Sequence, residues 1–191
     1  MPTPPDPIVV VSGVPRSGTS MLMRMLEAAG VPLLADAKRT ADEDNPRGYY
    51  ELEAVKATAR DSSWVADAPG KGVKVIHALL PALPPGHRYR VIFVHRDLDE
   101  VLASQRTMLE RSGRAGAGGV AALKRVYTAQ IEAALRWARS QDGLLEVEYR
   151  RVVESPKEES ARIAAFVGTP GRADAMAAVV EAGLYRNRAA N

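Results

Sequence analysis

Ile8-Val9-Val10-Val11-Ser12-Gly13-Val14-Pro15-Arg16-Ser17-Gly18-Thr19-Ser20, continued by Met21-Leu22-Met23-Arg24-Met25-Leu26, decides the fold. The β-branched run Ile8 to Val11 suits a strand covered on both faces, and apolar residues at 21, 22, 25, 26 and 29 recur at helical spacing. The stretch predicts a strand, a tight loop and a helix. Gly13 and Gly18 let the backbone turn sharply and approach a ligand. Ser17, Thr19 and Ser20 crowd the helix N-terminus, where unpaired N–H groups and the helix dipole favour an anion. Read functionally, Pro15, Arg16, Ser17, Gly18, Thr19 and Ser20 form a phosphate cradle; read blandly, they are a turn joining a strand to a helix.

The loop is one residue away from a Walker A sequence, which needs Gly, four residues, Gly, then Lys and Ser or Thr. Gly13, Gly18 and Ser20 fit, but Thr19 holds the lysine position, so the loop's one cation is Arg16. An ordinary nucleoside triphosphatase is therefore disfavoured. A second constellation follows Tyr89 to Val94, another buried-strand pattern, in His95-Arg96-Asp97-Leu98-Asp99-Glu100-Val101-Leu102-Ala103-Ser104. Asp97 and Glu100 have capping-box spacing. Arg96 thus leaves the carboxyl end of a strand, where open α/β sheets bind ligands, and Ser104 lies two turns into the next helix.

Pro15-Arg16-Ser17-Gly18-Thr19-Ser20 resembles the 5′-phosphosulfate loop of bacterial sulfotransferases, which use 3′-phosphoadenosine 5′-phosphosulfate (PAPS) as donor. The resemblance implies that Arg96 and Ser104, eight residues apart, bind the donor's 3′-phosphate, for which a planar guanidinium is suited. Asn45-Pro46-Arg47-Gly48-Tyr49-Tyr50-Glu51 and Leu145 to Pro156 also look like family segments. In related branches the tyrosine of the late strand lies beside the nucleotide, which would be Tyr149; its other reading is a core residue with its hydroxyl at the surface. The late Arg-Lys-Gly signature of cytosolic sulfotransferases is missing, and Tyr185-Arg186-Asn187-Arg188 offers basic groups instead.

At 191 residues, 46% hydrophobic and 26% charged, the chain has the composition of a globular domain with a sizeable core. The expected organisation is a Pro-rich leader over residues 1–7 and a single sulfotransferase-like domain over 8–191. With no bilayer-length apolar run and no secretory leader, the expectation is a cytoplasmic protein without membrane insertion. The absence of cysteine excludes disulfides, thiol catalysis and cysteine-ligated metals, and three scattered histidines do not make a metal site. A net charge of +3 with 5% aromatics suits an anionic donor and argues against a nucleic-acid partner.

Alternation of strand and helix predicts a three-layer α/β/α domain with a mostly parallel sheet, and the resemblance implies a P-loop NTPase-like fold. Between the two motifs the pattern predicts a short helix from Glu51 to Arg60, a short strand from Val73 to Ile76 and a connection from Pro81 to Gly86. Beyond them come a long helix from Val120 to Ser140, a Ser155-capped helix with Pro156 in its first turn, and its stop at Gly168. The polar stretch from Pro32 to Gly48 is expected over the site, and the glycine-rich segment from Arg111 to Gly119 is either a lid or a surface loop. Family members are usually longer. The missing length leaves a shallow acceptor site, a site completed by a homodimer partner, or lost acceptor binding.

The chemistry implied is in-line transfer of a sulfuryl group to a hydroxyl or amine of a small-molecule, glycan or lipid acceptor, releasing adenosine 3′,5′-bisphosphate. Arg16 and the loop amides would stabilise charge on the bridging oxygen. No metal is required, because a sulfuryl group carries less charge than a phosphoryl group. The general base stays open between His77, from Lys74-Val75-Ile76-His77-Ala78-Leu79-Leu80-Pro81, and Glu51, with Glu43 and Asp36 as further carboxylates. Two rivals remain: a magnesium-dependent small-molecule or nucleoside kinase with Asp97 or Asp99 as metal ligand, and a non-catalytic nucleotide-binding protein.

Overall fold

Ile8–Gly13 forms strand β1, buried at every position, as an unbroken β-branched run requires. The computed structural model describes residues 6–36, 48–111, 120–181 and 183. Within them, β1 pairs in parallel with Gly72–Lys74 (β2) on one side and Tyr89–His95 (β3) on the other, and β3 pairs in parallel with Gly143–Glu148 (β4). The strand order is β2-β1-β3-β4. The chain leaves β1 towards β2 but leaves β3 in the opposite direction, towards β4. The crevice between the carboxyl ends of β1 and β3 is therefore the switch point where open α/β sheets bind ligands.

Alternate residues of each strand feed two cores, one on each face. Val9, Val11, Ile92, Val94 and Val147 pack with Leu22, Met25 and Leu26 of α1 (Thr19–Ala28) and with Ile163 and Met176 further along the chain. Ile8, Val10, Val73, Tyr89, Val91 and Phe93 pack on the opposite face against Trp64, Leu80 and the Ala134, Leu135 and Ala138 side of α3 (Val120–Arg139). The result is the expected three-layer α/β/α architecture, with α2 (Leu98–Arg111) between β3 and α3 in sequence. No helix among the described residues is long and apolar enough to cross a membrane.

Several elements differ from their predicted form. Glu51 to Arg60 yields only a 3₁₀ turn, Glu53–Ala57. There the Thr58 hydroxyl donates to the Val55 carbonyl and accepts from Trp64 Nε1, a side-chain bond that competes with helix continuation. The strand predicted from Val73 to Ile76 is β2, Gly72–Lys74, after which the chain turns into a 3₁₀ segment, His77–Ala82, that contains Pro81. Tyr149 is not on the late strand but opens α4 (Tyr149–Glu154). Helix α5 (Pro156–Phe166) starts where predicted, yet Ser155 caps it with its backbone carbonyl, which accepts from Glu159 N at 3.1 Å, and not with its hydroxyl.

Its end follows the predicted stop. Gly168 at φ +81° lets the Thr169 and Gly168 amides fold back onto the Ala164 and Ala165 carbonyls, and α6 (Ala173–Ala178) follows. Most of the leader, Glu43 with its acidic neighbours at 42 and 44, Asn45-Pro46-Arg47, the glycine-rich segment from Gly113 to Gly119 and Tyr185 to Arg188 lie outside the described residues.

Candidate functional site

The loop leaving β1 is built by two glycines with different neighbours. A Cβ on Gly13 would stand 2.5 Å from Ser17 Oγ and 2.8 Å from the Val94 carbonyl of β3. Gly18, at φ +104°, has the Tyr149 ring where a side chain would go. Between them Arg16 adopts φ +73°, a left-handed conformation uncommon outside glycine, asparagine and aspartate. Helix α1 then begins at Thr19 with no side chain capping it among the described residues. Ser17 Oγ, in the loop just before it, is buried without a hydrogen-bond partner among those residues. Pro15 is exposed, whereas Thr19 is buried.

The second motif meets the first across the switch point. Asp97 Oδ1 accepts from the amides of Asp99 and Glu100 at 2.8 and 3.1 Å, so it caps α2 as its sequence position predicts. Glu100, however, uses its carboxylate on Arg96, accepting from Nε at 2.9 Å in a nearly buried ion pair. Arg96 Nη1 donates to the Arg16 carbonyl at 3.0 Å, and its guanidinium stacks 4.7 Å from the centre of the Tyr149 ring. Two turns along α2, Ser104 Oγ accepts from Arg16 Nε at 3.1 Å. Arg16, Gly18, Arg96, Ser104 and Tyr149 are thus one contact group.

On the other flank of α1, a cation stands that the loop sequence lacks. Lys74, the last residue of β2, donates from Nζ to Ser20 Oγ at 3.2 Å and to the Tyr49 carbonyl at 2.6 Å. Glu51 Oε1 lies 3.8 Å from the same Nζ. The sheet order brings Lys74 beside the loop, because β2 is the hydrogen-bonded neighbour of β1. Its only pattern signal is its place at the end of a short apolar strand. Glu100 was likewise legible only as part of a capping box.

The remaining candidate bases are placed differently. Glu51 is partly exposed beside Lys74, while Asp36 Oδ2 accepts the Glu53 amide at 2.6 Å and its own amide donates to the Glu51 carbonyl at 2.8 Å. His77 is 2% exposed, with Nε2 2.9 Å from Gln130 Oε1 and its ring edge-on to Tyr127. Burial holds its pKa below the usual imidazole value, against a smaller opposing effect of the hydrogen bond to Gln130. His77 is therefore neutral at pH 7, under α3 and not open to solvent.

A family model described as "Sulfotransferase family" matches residues 52–174. Among solved structures, a sulfotransferase from Alicyclobacillus acidocaldarius is similar over 85% of this chain and 81% of its own, with 17% identity and a TM-score of 0.53. The sulfotransferase domain from the curacin biosynthetic pathway aligns over 88% of this chain and 76% of its own, at 14% identity and a TM-score of 0.56. The sulfotransferase domain of the Synechococcus PCC 7002 olefin synthase covers 88% and 75%, at 16% identity and a TM-score of 0.52. No curated protein sequence matches the chain. At these identities the structural likeness speaks for the fold, which is P-loop NTPase-like; the family model, spanning well over half the residues, adds that the chain belongs to the sulfotransferase family.

Proposed function

We propose that this chain transfers a sulfuryl group from PAPS to an acceptor hydroxyl or amine. The observation that carries this reading is the hydrogen bond from Arg16 Nε to Ser104 Oγ, which joins the strand-end loop to the second motif across the switch point. A donor with an anionic group at each end of its nucleotide suits such a paired site. The fit rests on the chain itself: α1 amides without a side-chain cap among the described residues, glycines where a Cβ would close the loop, and the cations Arg16, Lys74 and Arg96 around it. When bound, PAPS supplies the sulfuryl group and leaves as adenosine 3′,5′-bisphosphate.

The loop amides of Gly18 to Ser20 hold the 5′ end of the nucleotide by hydrogen bonds that the helix dipole strengthens. Lys74, already on Ser20 Oγ, offers an ammonium group beside that end, where negative charge grows during transfer. Tyr149 closes one side of the loop under Gly18. Glu51 is the better placed base, because its carboxylate is partly exposed next to Lys74, whereas His77 is enclosed with Nε2 occupied by Gln130. The acceptor is a small molecule, glycan or lipid bearing a hydroxyl or amine.

Sulfate-labelled PAPS incubated with a panel of hydroxylated and aminated metabolites tests the reading. Label should pass to at least one acceptor class, with product inhibition by adenosine 3′,5′-bisphosphate, and Glu51→Gln should lose most turnover. Tight bisphosphate binding with no transfer to any acceptor would favour a non-catalytic binding protein.

A further inference from the structure

Helix α3 buries side chains only in its second half. No residue from 121 to 130 is buried, and the first that is comes at Ala134. The first half touches the body through polar groups: Lys124 Nζ donates to Asp99 of α2, Tyr127 Oη accepts from Gln105 Nε2 of α2 at 2.7 Å, and Gln130 Oε1 lies 2.9 Å from His77 Nε2. Most helical stability in proteins comes from packing an apolar face, and here such a face is left open. Leu123 is 39% and Val126 49% exposed; Ala122 and Ala129 are exposed, and Ala133 is partly so. Ala122, Val126, Ala129 and Ala133 follow at steps of four, three and four residues, so they form one seam, turned away from Ala134, Leu135 and Ala138, which face the sheet.

The charges beside this seam complement one another. Arg125 and Glu132, seven residues apart, stand on the same flank of it. Both are exposed, and neither has a hydrogen bond or ion pair among the described residues, whereas Lys124 and Arg139 on other faces of the helix pair with Asp99 and Glu146. The spacing of the seam is also the same read from either end. Laid antiparallel on a copy of itself, it sets Val126 against the partner's Ala129 and Ala122 against the partner's Ala133, with Arg125 beside the partner's Glu132 and Glu132 beside the partner's Arg125. We infer that α3 is the dimerisation helix of this protein, two copies packing antiparallel through the seam about a two-fold axis, flanked by two Arg125–Glu132 ion pairs. None of these residues belongs to the nucleotide site, so the dimer stands independently of the donor reading. One helix against its copy is at the small end of specific interfaces, and protein concentration therefore sets the state.

Sedimentation velocity of the full chain from about 1 to 200 μM tests the inference and should show a monomer–dimer equilibrium. Val126→Asp places a charge in each half of the seam and should raise the dimer dissociation constant about tenfold or more. Arg125→Glu and Glu132→Arg should each do the same alone, because each turns both ion pairs into like-charge contacts. An equimolar mixture of those two variants restores opposite charges at both pairs and should associate within about threefold of the unmutated chain. Circular dichroism checks that each variant folds, and the mixture decides the case even where Val126→Asp does not. A monomer across the whole range overturns the inference. So does a dimer that Val126→Asp leaves intact while folded, or a mixture that associates no better than its two components.

Discussion

Lys74 and His77 stand three residues apart on the same segment, yet the fold gives them opposite environments. Lys74 Nζ is directed at the α1 start by Ser20 Oγ and the Tyr49 carbonyl. Replacing it with methionine keeps the aliphatic stem and removes the charge. If the ammonium group acts where charge develops, Lys74→Met should lower turnover at saturating donor by about 10²- to 10³-fold with a much smaller effect on bisphosphate affinity. Steady-state rates beside calorimetry check this, and equal losses in both would make Lys74 a ground-state contact. His77 carries a pH signature instead. Its pKa is depressed in the folded protein by burial, so the unfolded chain binds its proton first as pH falls. That stability is complete above the ordinary histidine pKa near 6.5 and is lost as pH drops through the folded value, at a slope of at most about 1.4 kcal/mol per pH unit. His77→Gln should flatten the melting-temperature profile below about pH 6.5 relative to the unmutated protein. An unchanged profile would show that His77 does not titrate differently on folding.

At the scale of elements, the strand-loop-helix unit works because two side chains are missing. Gly18 combines a positive φ with the Tyr149 ring where a Cβ would stand, so alanine there meets both backbone strain and α4. Gly18→Ala should cost about 1–3 kcal/mol of stability by chemical denaturation and weaken every nucleotide, since the loop amides move with it. A variant of unchanged stability would mean that the loop and α4 yield freely. Much of this unit was legible beforehand: the β-branched run gave a doubly covered strand, the Gly-Ser-Thr loop gave the turn, and Asp97 gave the α2 cap. Short-range competition was harder to read. The Thr58 hydroxyl bonds the Val55 carbonyl where the predicted Glu51–Arg60 helix shrinks to a 3₁₀ turn, and the direct passage from β4 into α4 moves Tyr149 off the strand, neither of which hydrophobic periodicity reports.

In the whole molecule, the site is a product of strand order. Arg16 and Ser104 are 88 residues apart, and Ser20 and Lys74 are 54 apart. They meet because β2 and β3 flank β1 on opposite sides and all three strands end on the same edge of the sheet. The two motifs therefore announced a ligand edge without showing which cation would serve which end of the ligand. That depends on pairing, which a one-dimensional pattern does not encode. On the proposed function, this edge reads a nucleotide phosphorylated at both 3′ and 5′ positions, without the magnesium that a triphosphate site would need. Titration of the unmutated protein with adenosine 3′,5′-bisphosphate, 5′-AMP and ATP, first in chelator and then with magnesium, tests it most directly. The expected result is bisphosphate binding in chelator, at least about tenfold tighter than 5′-AMP and unmoved by magnesium. Binding of ATP alone, and only once magnesium is restored, would contradict it.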